Sequence, residues 1–219
     1  LSTQQKITVT ATVSNEGRSN TQHWQQQQQH QQSYTSPPLR YHLITYATSL
    51  FRESAEKLLA SALNQQRGGF DEVRLYTPAD LDDVFARMNA PILMQPRGAG
   101  FWIWKPYILF DYMTNHAEDG SIVCYMDAGV GSISGQVNLR SMLQSWTIEA
   151  PNVNMPAHRP GFGFYKEIEW TKQDAFFLMN VHPPEPEDSV MQVWAGFVVV
   201  RNTFAAKRFV SEWLTYAQD

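Results

Sequence analysis

An apolar run at Ile122–Met126 ends abruptly at one carboxylate, Asp127, and small residues follow it. The run has no polar face, which is typical of a strand that is buried on both sides in a parallel sheet. Open α/β sheets bind their ligands beyond the carboxyl ends of such strands. The sequence therefore predicts an α/β fold in which Asp127 lies at the ligand-binding edge. Because Asp is also common in turns, a purely structural role for Asp127 stays open.

Strand and helix patterns alternate along the rest of the folded region. β-branched, aromatic and continuous apolar segments predict further strands at 41–48, 73–76 and 193–200. Apolar residues at helical spacing predict helices at 51–66, 77–88, 139–148, 172–179 and 204–216, and another that begins at Pro106. Thr77 is expected to cap its helix and Pro78 to begin it. This order predicts βαβ units in a mainly parallel sheet with helices on both faces.

Residues 1–38 have a different composition from the rest of the chain. Ser, Thr, Asn and Gln dominate them, and a glutamine-rich tract lies at 25–32. Such a segment buries too little apolar surface to offset its ordering entropy, so we predict a disordered tether or stem there and a folded domain at 39–219. The chain begins with Leu and ends directly after a predicted helix. We therefore expect a processed form or a piece of a longer protein, with its C-terminal end open to truncation.

Charge and composition exclude several classes of protein. The formal net charge of -4 leaves no excess of basic residues for a nucleic-acid interface. No run of about twenty apolar residues occurs, so no membrane span is expected within the chain. The single cysteine, Cys124, cannot form an intrachain disulfide. The compartment stays open: an upstream anchor would place the domain in the Golgi or secretory lumen, and without one it would be cytoplasmic.

The segment before the Asp127 strand, at 97–107, reads RGAGFWIWKPY. Its glycines allow a ligand to approach the backbone closely, and its tryptophans offer flat apolar walls. Lys105 precedes the proline that is predicted to begin a helix, so its ammonium group and the helix N-terminus could face one anion. Arg97 is a second cation suited to phosphate. The spacing is not that of a P-loop, and an ordinary loop with core tryptophans and a solvated lysine stays open.

Four segments together resemble a group of GT-A-type glycosyltransferases: GAGFWIWKPYIL, DGSIVCYMDAG, EWTKQDAFF and QVWAGFVVVRNT. In that group a tryptophan-rich WKP segment starts the helix before a strand that ends Tyr-x-Asp-Ala-Gly. The resemblance covers roughly residues 40–219. It implies a GT-A-like, Rossmann-like fold that takes a nucleotide-sugar donor and transfers the sugar to a hydroxyl of a glycan, lipid or protein.

The resemblance also implies site residues and a cofactor. Asp127 matches the last acid of the Asp-x-Asp element that binds Mn²⁺ or Mg²⁺, although Tyr125 stands where the first acid is usual. Asp127 is thus the predicted metal ligand and a catalytic residue, with Lys105 and Arg97 neutralising the leaving diphosphate. Asp174, within the WTKQD match, is the second catalytic candidate and would orient or activate the acceptor. A solvated acidic face is the alternative for Asp174.

The other predicted donor-binding residues are Thr45, Tyr46 and Ala47, together with Trp104 and Tyr125. The end of the first strand, at 45–48, is predicted to line the pocket for the nucleotide base. Two other functions stay open. The lone carboxylate also suits a non-catalytic carbohydrate- or nucleotide-binding module of the same fold. A nucleotidyltransferase shares the placement of a nucleotide over the sheet but normally has a stronger phosphate loop.

Deleting residues 1–38 should leave the thermal midpoint of the domain almost unchanged, because that segment has no periodic apolar pattern with which to pack. The measurement is a melting curve of the full chain beside that of the shortened chain. A drop of more than about 5 °C would show that the segment packs on the domain.

Overall fold

The computed structural model describes residues 38–135, 138–149, 166–178, 180–183 and 194–218. Residues 1–37 lie outside that range, so the disordered tether stays a prediction. Met179 and Val193, at the ends of two predicted elements, also lie outside it.

Four strands form one mixed sheet in the order β2-β1-β3-β4. They are β1 (Tyr41–Tyr46), β2 (Glu72–Tyr76), β3 (Ile122–Met126) and β4 (Phe197–Arg201). β1 pairs in parallel with both β2 and β3, whereas β4 runs antiparallel to β3. A mostly parallel sheet in an α/β fold is therefore confirmed. The last strand is shorter than predicted, because Ala195 and Gly196 form a turn before it.

The described helices are α1 (Arg52–Leu63), α2 (Asp83–Met88), α3 (Ala90–Leu93), α4 (Trp104–Asn115), α5 (Leu139–Glu149), α6 (Glu167–Trp170), α7 (Gln173–Leu178) and α8 (Phe204–Gln218). Short 3₁₀ turns lie at Ser49–Phe51, Pro78–Asp80 and Ala128–Val130. In the described part of the chain, no helix is both long and apolar enough to cross a membrane.

Two predicted helix starts are displaced. Thr77 and Pro78 open only the 3₁₀ turn, and α2 begins at Asp83, where the carboxylate of Asp82 accepts from two backbone N–H groups. The WKP helix begins at Trp104, two residues before the predicted Pro106. A proline is tolerated there because the first turn of a helix has no partner for its N–H groups.

Side chains of the sheet alternate between two apolar clusters. Ile44, Val123 and Val200 pack on one face with α4 and α8. Leu43 and Cys124, one residue along their strands, pack on the other face with α1 and α5. Both faces of the sheet are therefore covered, which explains why the strands are apolar without alternation.

The strand order also locates the ligand-binding crevice. The chain passes from β1 to β2 on one side and then returns to β3 on the other side of β1. The carboxyl ends of β1 and β3 therefore flank a switch point, where open α/β sheets bind their ligands. Asp127 follows β3 at this point.

A charged cluster lies at the amino ends of the parallel strands. The ring of His42 is buried, with Nδ1 3.1 Å from the Tyr112 hydroxyl and Nε2 3.2 Å from a carboxylate oxygen of Glu118. Arg40 pairs with both Glu72 and Glu118, at 2.5 and 2.8 Å. Burial lowers the pKa of His42, although the two glutamates oppose the shift. His42 is therefore harder to protonate in the folded chain than in the unfolded chain.

The thermal midpoint should fall as the pH drops from 7 to 5.5, because the unfolded chain then binds a proton that buried His42 resists. This contribution is complete above the ordinary histidine pKa of about 6.5 and is lost as the pH falls towards the lowered pKa. We expect a loss of a few degrees, at about 2–4 °C for each kcal/mol. The His42→Gln variant should show a flatter profile, and the control His182→Gln, at an exposed histidine, should follow the wild type. Parallel profiles for wild type and His42→Gln would contradict the prediction.

Candidate functional site

The backbone at Asp127 is held from both sides. The Asp127 N–H donates to the carbonyl of Gly196, at 2.9 Å, in the turn before β4. On the other side, the Thr45 hydroxyl of β1 donates to the carbonyl of Met126, at 2.7 Å. The acid therefore projects from a fixed position at the junction of three strands.

Two neighbours orient the Asp127 carboxylate. Lys105 Nζ lies 3.1 Å from Oδ1 and also donates to the carbonyl of Ala195, at 2.8 Å. The Tyr125 hydroxyl donates to the same Oδ1. Among the residues that the structure describes, none donates a hydrogen bond to the other oxygen, Oδ2. The Lys105 side chain is 6% exposed and that of Asp127 is 38% exposed, so the carboxylate faces outward from a buried cation.

Burial changes the ionisation of both neighbours. It raises the pKa of Tyr125 far above its ordinary value, and the nearby charge of Asp127 adds to the shift. Tyr125 therefore remains a hydrogen-bond donor throughout the physiological range. Burial lowers the pKa of Lys105, while the attraction of Asp127 opposes that change. The pairing with Asp127 therefore favours the ammonium form of Lys105 against the effect of its burial.

A cleft of about 350 Å³ opens beside Asp127. Aromatic side chains dominate its walls: Tyr46, Phe51, Trp102, Trp104 and Tyr125. Trp104 stacks on Tyr46 with ring centroids 3.9 Å apart, and its indole N–H donates to the carbonyl of Gly98. Of the lining residues in the described ranges, Asp127 alone carries a formal charge at neutral pH.

A left-handed turn at 98–102 contributes Gly98, Ala99 and Trp102 to the lining of the cleft. Residues 98–102 all have positive φ: 60° at Gly98, 50° at Ala99, 97° at Gly100, 50° at Phe101 and 60° at Trp102. Each of the three non-glycine residues costs about 1–2 kcal/mol in this conformation. The glycines are required by packing as well, because a Cβ on Gly98 would lie 2.4 Å from the Trp102 ring and one on Gly100 would lie 2.7 Å from Leu93 Cα. Such strain is characteristic of ligand-binding segments.

The structure brings four of the predicted residues to the cleft, namely Tyr46, Trp104, Tyr125 and Asp127. Lys105 is adjacent, but the prediction that its ammonium faces an anion at the helix start needs correction. The side chain turns inward, where Asp127 and the Ala195 carbonyl bind it. A solvated lysine, the alternative, is also wrong, because Lys105 is buried.

The other predicted donor-binding residues do not line the cleft. Thr45 is fully buried, since alternate side chains of β1 point to opposite faces of the sheet and Tyr46 takes the cleft side. Ala47 is buried with Ala55 and Ala128. Arg97 is exposed at the rim, with its guanidinium carbon 5.8 Å from the Trp102 ring centroid.

Asp174 lies elsewhere. It is exposed on α7 and borders a separate depression of about 590 Å³, together with Phe176, Phe177 and His182. That depression and the Asp127 cleft have no lining residue in common. In the described part of the chain, the two predicted catalytic acids therefore border different depressions.

Phe51 also lines the cleft and was not predicted to do so, whereas Thr48 and Trp102, which line it too, lie in segments for which a ligand-binding role was predicted. Phe51 belongs to the 3₁₀ turn after β1, and residues just beyond the carboxyl end of a central strand are candidates in any α/β fold.

Comparison with known proteins adds no family. No protein-family model matches the chain, and no curated protein sequence matches it significantly.

Few of the described side chains near Asp127 could bind a metal ion. Within the described ranges, no three His, Cys, Asp or Glu side chains are grouped to hold a metal ion. Asp127 nevertheless leaves Oδ2 open while its other oxygen is bound, and magnesium sites in proteins commonly combine one or two carboxylates with substrate phosphates. The residues thus fit a cation shared with a bound diphosphate, and they do not form a cage of their own.

Replacing Lys105 with Met should destabilise the fold, because it leaves Asp127 and the Ala195 carbonyl without their buried donor. We expect a loss of about 1–3 kcal/mol, below the range for fully buried pairs because Asp127 is partly solvated. The control is Lys207→Met, which breaks an ion pair with the exposed Asp119 and should change stability by less than about 0.5 kcal/mol. Equal denaturation midpoints for the two variants would show that the Lys105 pair is dispensable.

Proposed function

We propose that this domain is a GT-A-like glycosyltransferase, which moves a sugar from a nucleotide-sugar donor to a hydroxyl acceptor. The observation that carries the proposal is the position of Asp127. It lies at the switch point of the sheet, and its partly exposed carboxylate lines a cleft walled by aromatic rings. The likeness of the WKP and Tyr-x-Asp-Ala-Gly segments to glycosyltransferases supports the same function.

In the transfer, the bond between the anomeric carbon and the diphosphate breaks, and the acceptor oxygen bonds to that carbon as its hydroxyl proton is released. Negative charge accumulates on the leaving diphosphate. The described lining of the cleft offers no lysine or arginine to meet that charge, and Asp127 would repel it. Positive charge from a bound cation would therefore favour binding and release of the diphosphate.

Asp127 would hold such a divalent cation, Mn²⁺ or Mg²⁺, through Oδ2. When bound, this ion supplies positive charge that offsets the charge on the leaving group. Lys105 and Tyr125 would act as positioning residues, because both bind Oδ1 and so restrict the orientation of the carboxylate. Arg97, which is exposed and lies over the Trp102 ring, is a further cation suited to phosphate. Asp174 has no part in this proposal, because it borders a different depression.

A non-catalytic carbohydrate-binding module is the second candidate. It is favoured by a cleft whose aromatic walls and single carboxylate could hold a neutral sugar without any cation. In that case Asp127 Oδ2 would accept hydrogen bonds from sugar hydroxyls.

The Asp127→Asn variant should lose at least about 100-fold in donor turnover, because the substitution keeps the size of the side chain and removes its charge. Turnover is measured with a panel of nucleotide sugars in Mn²⁺, in Mg²⁺ and in a chelator. Asp119→Asn is the matched control, since Asp119 is an exposed acid just before the other end of β3 and pairs with Lys207 on the surface.

The outcomes separate the candidates. Full turnover in Asp127→Asn at saturating Mn²⁺ would contradict the transferase mechanism given above. Sugar binding that needs no metal, without turnover of any donor, would favour the binding module. Release of pyrophosphate from a nucleoside triphosphate would instead indicate a nucleotidyltransferase.

A further inference from the structure

Trp102 is the more exposed of the two tryptophans that line the cleft. It is 42% exposed, whereas Trp104 is 5% exposed, stacked on Tyr46 and hydrogen-bonded to Gly98. Trp104 is therefore part of the wall, and its ring is already engaged. An exposed indole in a cleft is unusual, because burying so large an apolar ring is favourable whenever packing allows.

The backbone holds Trp102 in this position at the expense of local strain. A left-handed turn of five residues ends at Trp102, and three of the five have side chains that disfavour positive φ. Backbone hydrogen bonds from Phe101 to Arg97 and from Trp102 to Gly98 close the turn. Gly98 lies directly against the ring, where no Cβ would fit. The ring is thus fixed on one side by its own backbone, and a fixed ring loses little conformational entropy when a ligand stacks on it.

The remaining walls indicate what the ligand presents to this ring. Phe51 and Leu50, from the 3₁₀ turn after β1, also line the cleft and are exposed. Trp102, Phe51 and Leu50 form an apolar subsite in the same cleft as the carboxylate of Asp127. The guanidinium carbon of Arg97 lies over the Trp102 ring, 5.8 Å from its centroid, so a cation belongs to this subsite. A flat apolar ring attached to a diphosphate matches this combination.

We propose that the base of the donor nucleotide stacks on Trp102, an inference that rests on the proposed transferase function. Trp102 is then the residue that recognises the flat face of the base, and Asp127 faces the diphosphate end of the same molecule. Stacking does not read the edge of a base, so Trp102 contributes affinity for all four nucleoside diphosphates.

The test is calorimetric titration of the folded protein with UDP, GDP, ADP and CDP in Mn²⁺, and separately with neutral methyl hexosides. Trp102→Ala should weaken nucleotide binding roughly tenfold or more, the scale of lost base–aromatic stacking. Trp102→Phe should recover most of that loss, because it restores an aromatic face. Trp102→Leu keeps an apolar side chain without that face and should behave like Trp102→Ala, which separates stacking from any effect of the alanine on folding.

Phe101→Ala is the matched control. Phe101 is also aromatic, 53% exposed and at positive φ in the same turn, but it is not among the residues that line the cleft. Its removal should leave nucleotide affinity within about twofold of the wild type. A melting curve for each variant confirms that the fold is retained.

Three results would overturn the inference. Equal nucleotide affinity in wild type and Trp102→Ala would remove Trp102 from the donor site and leave the transferase proposal standing. Loss of methyl hexoside binding alone would assign the ring to a sugar. If the wild type binds none of the nucleoside diphosphates in Mn²⁺, the proposed function fails, and the stacking role fails with it.

Discussion

The ion pair between Lys105 and Asp127 joins the parts of the site that lie far apart in the chain. Lys105 is in the first turn of α4, Asp127 follows β3, and the Ala195 carbonyl that shares the ammonium precedes β4. A buried ammonium is stable only where its desolvation is offset by a carboxylate and further hydrogen bonds. The geometry at the carboxyl ends of the strands therefore depends on these two contacts together, and loss of either should displace the carboxylate.

The pair also determines the charge that a ligand meets. The ammonium lies behind the carboxylate and is buried, so the cleft presents the negative end of the pair. An anionic ligand must then bring a cation, whereas a neutral sugar need not. This difference between anionic and neutral ligands distinguishes a metal-assisted transferase from a simple binding module. The left-handed turn at 98–102 forms part of the cleft lining. Backbone N–H groups of the turn donate to the carbonyls of Gln95, Arg97 and Gly98, and these hydrogen bonds offset its strain.

Much of the fold could be predicted, because the buried faces of strands and helices require apolar residues at regular spacings in the sequence. The apolar strands and the amphipathic helices were predicted at nearly their observed positions. A strand that is buried on both faces has a continuous apolar run, whereas a helix that is buried on one face has apolar residues three or four positions apart. Helix starts were predicted less well. Thr77 and Pro78 carried the signal of a helix N-terminus, but the segment closes only one 3₁₀ turn before Asp82 caps α2. Local signals of this kind do not show how many turns tertiary packing will support.

The sequence by itself determined that a carboxylate follows a buried strand, that tryptophans and glycines precede it, and that helices cover both faces of a mostly parallel sheet. Only the tertiary structure decided which side chains share the cleft. Lys105 could be solvated, bound to phosphate or paired internally, and the choice depends on a carboxylate 22 residues away and on a carbonyl 90 residues away. Thr45 and Tyr46 are neighbours in the chain, yet only Tyr46 reaches the cleft. The spacing of apolar residues indicates whether a side chain is buried. It does not indicate the partners of that side chain, because these lie in distant segments of the chain.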